Sequence, residues 1–260
     1  MDAGSCVFNI AVSRDGKWIA SGTMAGQVTV WNAETHSKVT EFKAHSDWVR
    51  AVDISPDATK IATGSKDFTV CVWSLSTGER LLDPLEHDNW VVVAKFSPDG
   101  RLIATATLDR YSVHVYDSQN GSLLVEFPVK VTAWRNHSLA WVSDSNLQLF
   151  ALSHDGNILR VDVSAKTILS QWRIHSSTPE CMSLASNGTF IAAIAGSSVS
   201  FWDTTTHEQI GTVFEYTHRI WSTAISSNYD LITGGNNGIF LRALRSALPS
   251  HYLDDVSVPA

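Results

Sequence analysis

Six times along the 260 residues a short run of β-branched or apolar residues ends at a closing position, and those positions fall at nearly even intervals. The runs are Val28-Thr29-Val30-Trp31, Val70-Cys71-Val72-Trp73, Val113-His114-Val115-Tyr116, Ile158-Leu159-Arg160-Val161, Val199-Ser200-Phe201-Trp202 and Ile239-Phe240-Leu241-Arg242. Positions 31, 73, 116, 161, 202 and 242 are separated by 42, 43, 45, 41 and 40 residues. Repetition at this period constrains the fold more than any other feature, because each repeat is one small unit that must bury its faces against copies of itself.

The best-formed repeat, His45 to Leu85, shows what the unit is. It contains four short runs, Trp48 to Ile54, Lys60 to Thr63, Thr69 to Trp73 and Arg80 to Leu85. Turn clusters separate them at Ser55-Pro56-Asp57-Ala58, Ser65-Lys66-Asp67-Phe68 and Ser74 to Gly78. Runs this short and this regularly punctuated predict antiparallel strands. Strand alternation places Val70 and Val72 on a buried face and Thr69 and Cys71 on the other. One four-stranded sheet of this size is too small to stand alone. The expected fold is therefore all-β, a β-propeller of four-stranded antiparallel blades with six visible repeats.

The punctuation itself resembles the WD40 repeat family. The family's marks are a His in the loop before the first strand, Ser-Pro-Asp-Gly after that strand, an Asp in the second turn and Trp-Asp closing the third strand. Here they stand as His45, Ser55-Pro56-Asp57, Asp67 and Trp73, and again as His87, Ser97-Pro98-Asp99-Gly100, Asp109 and Tyr116-Asp117. Repeat one has Ala25 at the Asp position, repeat four keeps Asp155-Gly156, repeat five keeps His175 and Trp202-Asp203, and repeat six keeps His218 and Asn236. The resemblance spans about residues 5 to 245. It divides the propeller, residues 1–245, into repeats at about 5–42, 43–85, 86–127, 128–172, 173–214 and 215–245, followed by a tail, 246–260.

The family usually has seven blades, so six visible repeats raise the question of closure. Only Met1 to Gly4 precede the first strand, which leaves no outer strand to donate from that end. Three solutions are open: a six-bladed ring closed by a tail strand around His251 to Val258, an open arc, or a seventh blade from another chain. Pro249 counts against the first, since proline lacks a ladder donor. An unclosed sheet edge also invites self-association.

Composition narrows the function classes. Apolar residues make up 44% and charged residues 17%, which predicts an ordered chain with a substantial core. A net charge of −7 without a basic cluster argues against nucleic acid as a partner. Cys6, Cys71 and Cys181 have no metal-ligand spacing and are odd in number. With no signal-like amino terminus and no apolar run of membrane-spanning length, the expectation is a soluble protein of the cytoplasm or nucleus, with no membrane association.

Two residue sets then compete for a functional role. The resemblance implies a buried hydrogen-bonded set in repeat two, His45, a hydroxyl from Thr63 or Ser65, Asp67 and Trp73, with a partial copy at His87, Thr105, Asp109 and Tyr116. It looks like a catalytic triad on paper, but its repetition and its mutual satisfaction point to structure. No nucleophile elbow, phosphate loop or zinc His pair is present. His137 and His154 could meet on one face, yet two ligands fall short of a closed metal site. No catalytic residue, metal or cofactor is expected.

The second set follows from the family's usual docking face, built by the loops into the first strands and by the second turns. In register with His45 these positions are Trp48, Arg50 and Lys66, then Trp90, Val92 and Leu108, with Phe8 and Met24 in repeat one and Arg219 and Trp221 in repeat six. Repeats four and five contribute Arg135, His137, His154, Thr178, Glu180 and Ala195. Aromatic and arginine side chains dominate interface hot spots. The reading is a non-enzymatic scaffold that binds a protein or peptide through Trp48, Arg50, Lys66, Trp90, Leu108, Arg219, Trp221 and Phe8. A propeller enzyme centred near His137 and His154, and the repeat region of a larger multidomain protein, are the alternatives.

Overall fold

The computed structural model describes residues 4–108, 112–128, 139–142, 147–153, 155–174, 181–184, 188–226, 229–235 and 238–253. Their regular structure is strand apart from two short 3-10 turns, arranged as six antiparallel sheets, and the fold class is that of a β-propeller. The chain divides into two compact units, Met1–Asn136 and His137–Ala260.

The first unit holds three blades of four strands each. Blade one is β1 (Val7–Val12), β2 (Trp18–Thr23), β3 (Gln27–Asn32) and β4 (Lys38–Lys43). Blade two is β5 (Val49–Ile54), β6 (Lys60–Ser65), β7 (Thr69–Ser74) and β8 (Leu85–Glu86). Blade three is β9 (Val91–Phe96), β10 (Leu102–Thr107), β11 (Val113–Asp117) and β12 (Leu123–Phe127).

The core lies between these sheets. Val28, Val30 and Ala20 of blade one pack with Val49, Val52, Cys71 and Trp73 of blade two. On its other face blade two sets Ala62, Val70 and Val72 against Val91, Phe96 and Ile103 of blade three. This corrects the expected split of β7 into a buried and a solvent face. Val70 and Val72 face blade three while Cys71 and Trp73 face blade one, and all four are buried because a middle blade has a neighbour on both sides. Glycine sets how closely the blades approach: a Cβ on Gly22 would lie 2.5 Å from Val49, and one on Gly64 would lie 2.6 Å from Val91. Polar ties cross the same seams. The Val52 amide donates to Asn9, and Asp53 accepts from the Phe96 amide and from Lys95.

The turns between first and second strands share one device. In Ser13-x-Asp15, Ser55-x-Asp57 and Ser97-x-Asp99 the serine hydroxyl donates to the aspartate at 2.6 Å and accepts the amide five residues on at 2.9 Å. The fourth turn residue sits in the left-handed region, at φ +72° for Gly16, +74° for Gly100 and +54° for Ala58. The expected fourth strand over Arg80–Leu85 is much shorter. Arg80 makes one isolated bridge to Trp73, the chain leaves the ladder, and only Leu85–Glu86 pairs, as the donorless Pro84 would dictate.

The second unit contains two four-stranded blades, β13 (Leu139–Trp141), β14 (Gln148–Leu152), β15 (Asn157–Asp162) and β16 (Thr167–Arg173), then β17 (Cys181–Leu184), β18 (Phe190–Ala195), β19 (Ser198–Asp203) and β20 (Gln209–Glu215). The sixth sheet, β21 (Ile220–Ile225), β22 (Asp230–Gly235) and β23 (Gly238–Ala243), has three strands among the described residues where four were expected. β23 is its edge, with Ile239 81% and Leu241 67% exposed. In the first unit β1 likewise exposes Ile10 and Val12.

After β23 the chain forms two 3-10 turns, Leu244–Ser246 and Ser250–Tyr252, and the candidate closing strand is absent from the part of the tail that is described. Leu244, Leu248, Tyr252 and Leu253 bury themselves against Phe190, Phe201, Tyr229 and Leu231. Tyr252 Oη donates to Asp203 Oδ2 at 2.6 Å. No described helix is long and apolar enough to cross a membrane.

The turn geometry yields an expected outcome. Ala58 adopts a backbone conformation that costs a residue bearing Cβ about 1–2 kcal/mol, partly offset by glycine's greater entropy when unfolded. Ala58→Gly should therefore raise unfolding free energy by about 0.5–1 kcal/mol, read as a higher urea midpoint at unchanged slope.

Candidate functional site

Blade two places the His45 set on one continuous hydrogen-bond line. Trp73 Nε1 donates to Thr63 Oγ1 at 2.8 Å, and Thr63 Oγ1 meets His45 Nε2 at 2.7 Å. His45 Nδ1 reaches both oxygens of Asp67, at 3.0 and 3.1 Å. A neutral imidazole satisfies every step, with Trp73 donating to Thr63, Thr63 to His45 and His45 to Asp67. Of the two candidate hydroxyls Thr63 occupies the line, while Ser65 accepts the Asp67 amide at 3.0 Å. Asp67 also accepts from the Ser46 amide and from the amide and hydroxyl of Thr69.

Burial alone would raise the Asp67 carboxyl, but the His45 contact and the surrounding donors outweigh it and hold the group far below the ordinary carboxylate range. Each of the four side chains on this line has a hydrogen-bond partner within it. It joins the loop before β5 to the β6–β7 turn.

Blade three is built differently. His87 Nε2 meets Thr105 Oγ1 at 2.9 Å, but its Nδ1 donates to the Leu85 carbonyl at 3.0 Å, and Tyr116 Oη stands 3.4 Å from Nε2. Burial, opposed by the Leu85 carbonyl and reinforced by the nearby His114, pushes His87 down to about 4. Burial and Glu126 push the Tyr116 phenol up to about 12. Asp109 lies outside the described residues. In blade one Trp31 Nε1 donates to Ser21 at 3.3 Å, and in blade five Trp202 Nε1 turns back to Ser200 on its own strand.

These lines hold the loops that carry the second residue set. The same backbone bond recurs in three blades, with the second-turn amide of Met24, Lys66 and Leu108 donating to the carbonyl of Cys6, Trp48 and Trp90. Asp47 and Asn89 each cap the following tryptophan amide at 2.8 Å. Repetition of these bonds brings five of the eight predicted residues into a closed circuit of side chains. The Arg50 guanidinium lies 4.7 Å from the Phe8 ring centroid and 5.6 Å from that of Trp90. The Lys66 ammonium lies 4.9 Å from both Trp90 and Trp48, and Trp48 closes back on Phe8 at 6.1 Å.

Phe8 is exposed, and Trp48, Lys66 and Trp90 are half-buried. Arg50 and Leu108 are buried, at 4% and 6% exposed, so they support this surface from beneath where surface positions were expected. For Arg50 the depth follows from its place on β5, in a blade packed against blade one on one face and blade three on the other. In the second unit Arg219 stacks over Trp221 at 4.8 Å, with Trp221 half-buried. Arg135, His137, His154, Thr178 and Glu180 lie outside the described residues. Among the described residues no group of three or more His, Cys, Asp or Glu is placed to hold a metal ion.

Sequence reasoning missed the pairing of Lys66 and Arg50 with particular rings. The signal was the register itself, since Lys66 falls one residue before Asp67 and so beside the tryptophan of the same loop. The family model described as WD domain, G-beta repeat matches residues 2–32, 36–74 and 80–117. No curated protein sequence matches the chain.

Two outcomes are expected of the hydrogen-bonded lines. Asp67→Ala strands buried donors and should cost about 1–3 kcal/mol in a denaturant titration. The pH dependence separates the two blades. His87 titrates near 4 when folded against about 6.5 when unfolded, so the unfolded chain takes up a proton first and stability falls as pH drops through that interval. His87→Gln should flatten that limb. Asp67, held low, contributes stability that is complete above its unfolded value near 3.9 and is lost at still lower pH, the limb that Asp67→Asn should flatten.

Proposed function

The chain belongs to the WD40-repeat family, and from that premise we propose that it is a non-enzymatic scaffold docking a protein or peptide on the face that carries Phe8, Trp48 and Trp90. The observation that carries the reading is the five-membered circuit. Three aromatic rings from three successive blades converge with two cations at the loop ends, partly open to solvent and fixed by repeated backbone bonds. Large aromatic side chains with an arginine behind them are the composition of interface hot spots. Rigid anchors of this kind bind without a large ordering penalty. Arg219 and Trp221 form a second, smaller anchor of the same chemistry in the other unit. Neither the His45 line nor the His87 set offers an unsatisfied nucleophile or base, which favours docking over catalysis.

A second reading has its own support. Among the described residues the sixth sheet has three strands and presents β23 as an edge with two exposed aliphatic side chains, a template for pairing with another chain. Self-association through that edge would accompany docking. An exposed free thiol at Cys6 supports a reducing compartment, the cytoplasm or the nucleus.

The test is affinity capture with the intact chain and with a Trp48→Ala, Trp90→Ala double variant. Loss of a hot-spot tryptophan typically costs about 2 kcal/mol or more, about thirtyfold in affinity, so the variant should lose partners that the parent retains while its thermal transition persists. Retention of every partner by a folded double variant would sink the docking face.

A further inference from the structure

The circuit also carries information about the chemistry of what docks there. A set of aromatic faces turned toward one point ordinarily selects a cation, because the ring quadrupole attracts positive charge. Here two cations of the chain itself already lie against the rings. Lys66 Nζ lies at 4.9 Å from Trp48 and from Trp90, and Arg50 lies between Phe8 and Trp90 at 4.7 and 5.6 Å. A lysine or arginine arriving on a partner would have to displace Lys66 and would meet two like charges.

A carboxylate meets the opposite situation. The Lys66 side chain is 27% exposed, and its described ion pair is a long one, 3.5 Å to Asp47, whose own side chain is 39% exposed. An ammonium held against two rings and loosely matched by a solvated carboxylate retains donors for an incoming acceptor. The half-buried edges of Trp48 and Trp90 and the exposed Phe8 flank that point with apolar surface.

We infer that this surface takes an acidic peptide, with a glutamate or aspartate side chain on the Lys66 ammonium and an adjacent aliphatic side chain against Phe8 and Trp48. Charge complementarity at Lys66 carries the choice. The inference rests on the docking reading above and specifies its partner.

The experiment uses the intact chain and three fluorescein-labelled ten-residue peptides that differ only in alternating Glu, Gln or Lys among constant Leu and Ser residues. Fluorescence anisotropy should show the Glu peptide binding at least tenfold more tightly than the Gln peptide, with the Lys peptide weakest. Lys66→Gln should remove most of the Glu-over-Gln preference, and Lys66→Arg should restore it. Raising salt should weaken the Glu peptide alone. A Glu peptide no better than its Gln counterpart, or a preference for the Lys peptide that grows in Lys66→Gln, overturns the acidic partner. Trp48→Ala separates the two levels. If it weakens whichever peptide binds while the Glu preference is absent, docking stands and its charge class falls. If it changes no peptide's affinity, the docking face falls too.

Discussion

A four-stranded sheet of six-residue strands has two faces and cannot bury either by itself, so face-to-face packing of one blade on the next is the interaction on which this structure depends. In blade two the requirement is visible residue by residue. Consecutive side chains of β7 go alternately to blade one and to blade three, and none is left for solvent between Val70 and Trp73. Gly22 and Gly64 make room for a valine of the following inner strand, so backbone and side chain meet where any larger residue would hold the sheets apart. Packing of this kind leaves little tolerance for volume change.

The loops owe their positions to that packing and to polar lines that run out from it. Trp73 is buried in the seam between blades one and two, yet its indole donor begins a chain of bonds that ends on Asp67 at the surface turn. Core and loop are thereby one mechanical piece. A ring such as Trp48, whose carbonyl receives the Lys66 amide, is carried by this frame and does not wander as a free loop residue would. That rigidity is what allows five side chains from three blades to face one another at fixed separations.

Much of this was legible in the sequence because the period and the turn residues act locally. Ser55-Pro56-Asp57 closes its turn through bonds two and five residues away, and the His45, Thr63, Asp67 and Trp73 line spans a single repeat. The burial of Arg50 and Leu108 was not legible, because it depends on which neighbour a blade face meets. Nor was the short pairing of β8, where one proline competes with an otherwise strand-like run. Of the segment around His251 to Val258 offered as a closing strand only the first three residues are described, and there Tyr252 and Leu253, with Leu248 before them, are recruited by a core that includes Phe190, Phe201 and Leu231.

That recruitment bears on the order in which the protein can assemble as it is made. Blades two and three have their shared core in hand once Tyr116 has been synthesised, whereas the core around Phe190 and Tyr229 draws on Leu248, Tyr252 and Leu253, and the Asp203 carboxylate waits 49 residues for the Tyr252 hydroxyl. Domains tend to fold as units during synthesis, the leading one first. The first unit can thus complete its packing while the second still displays bare aromatic surface on the ribosome, and it is in that interval that a chaperone would have the most to hold.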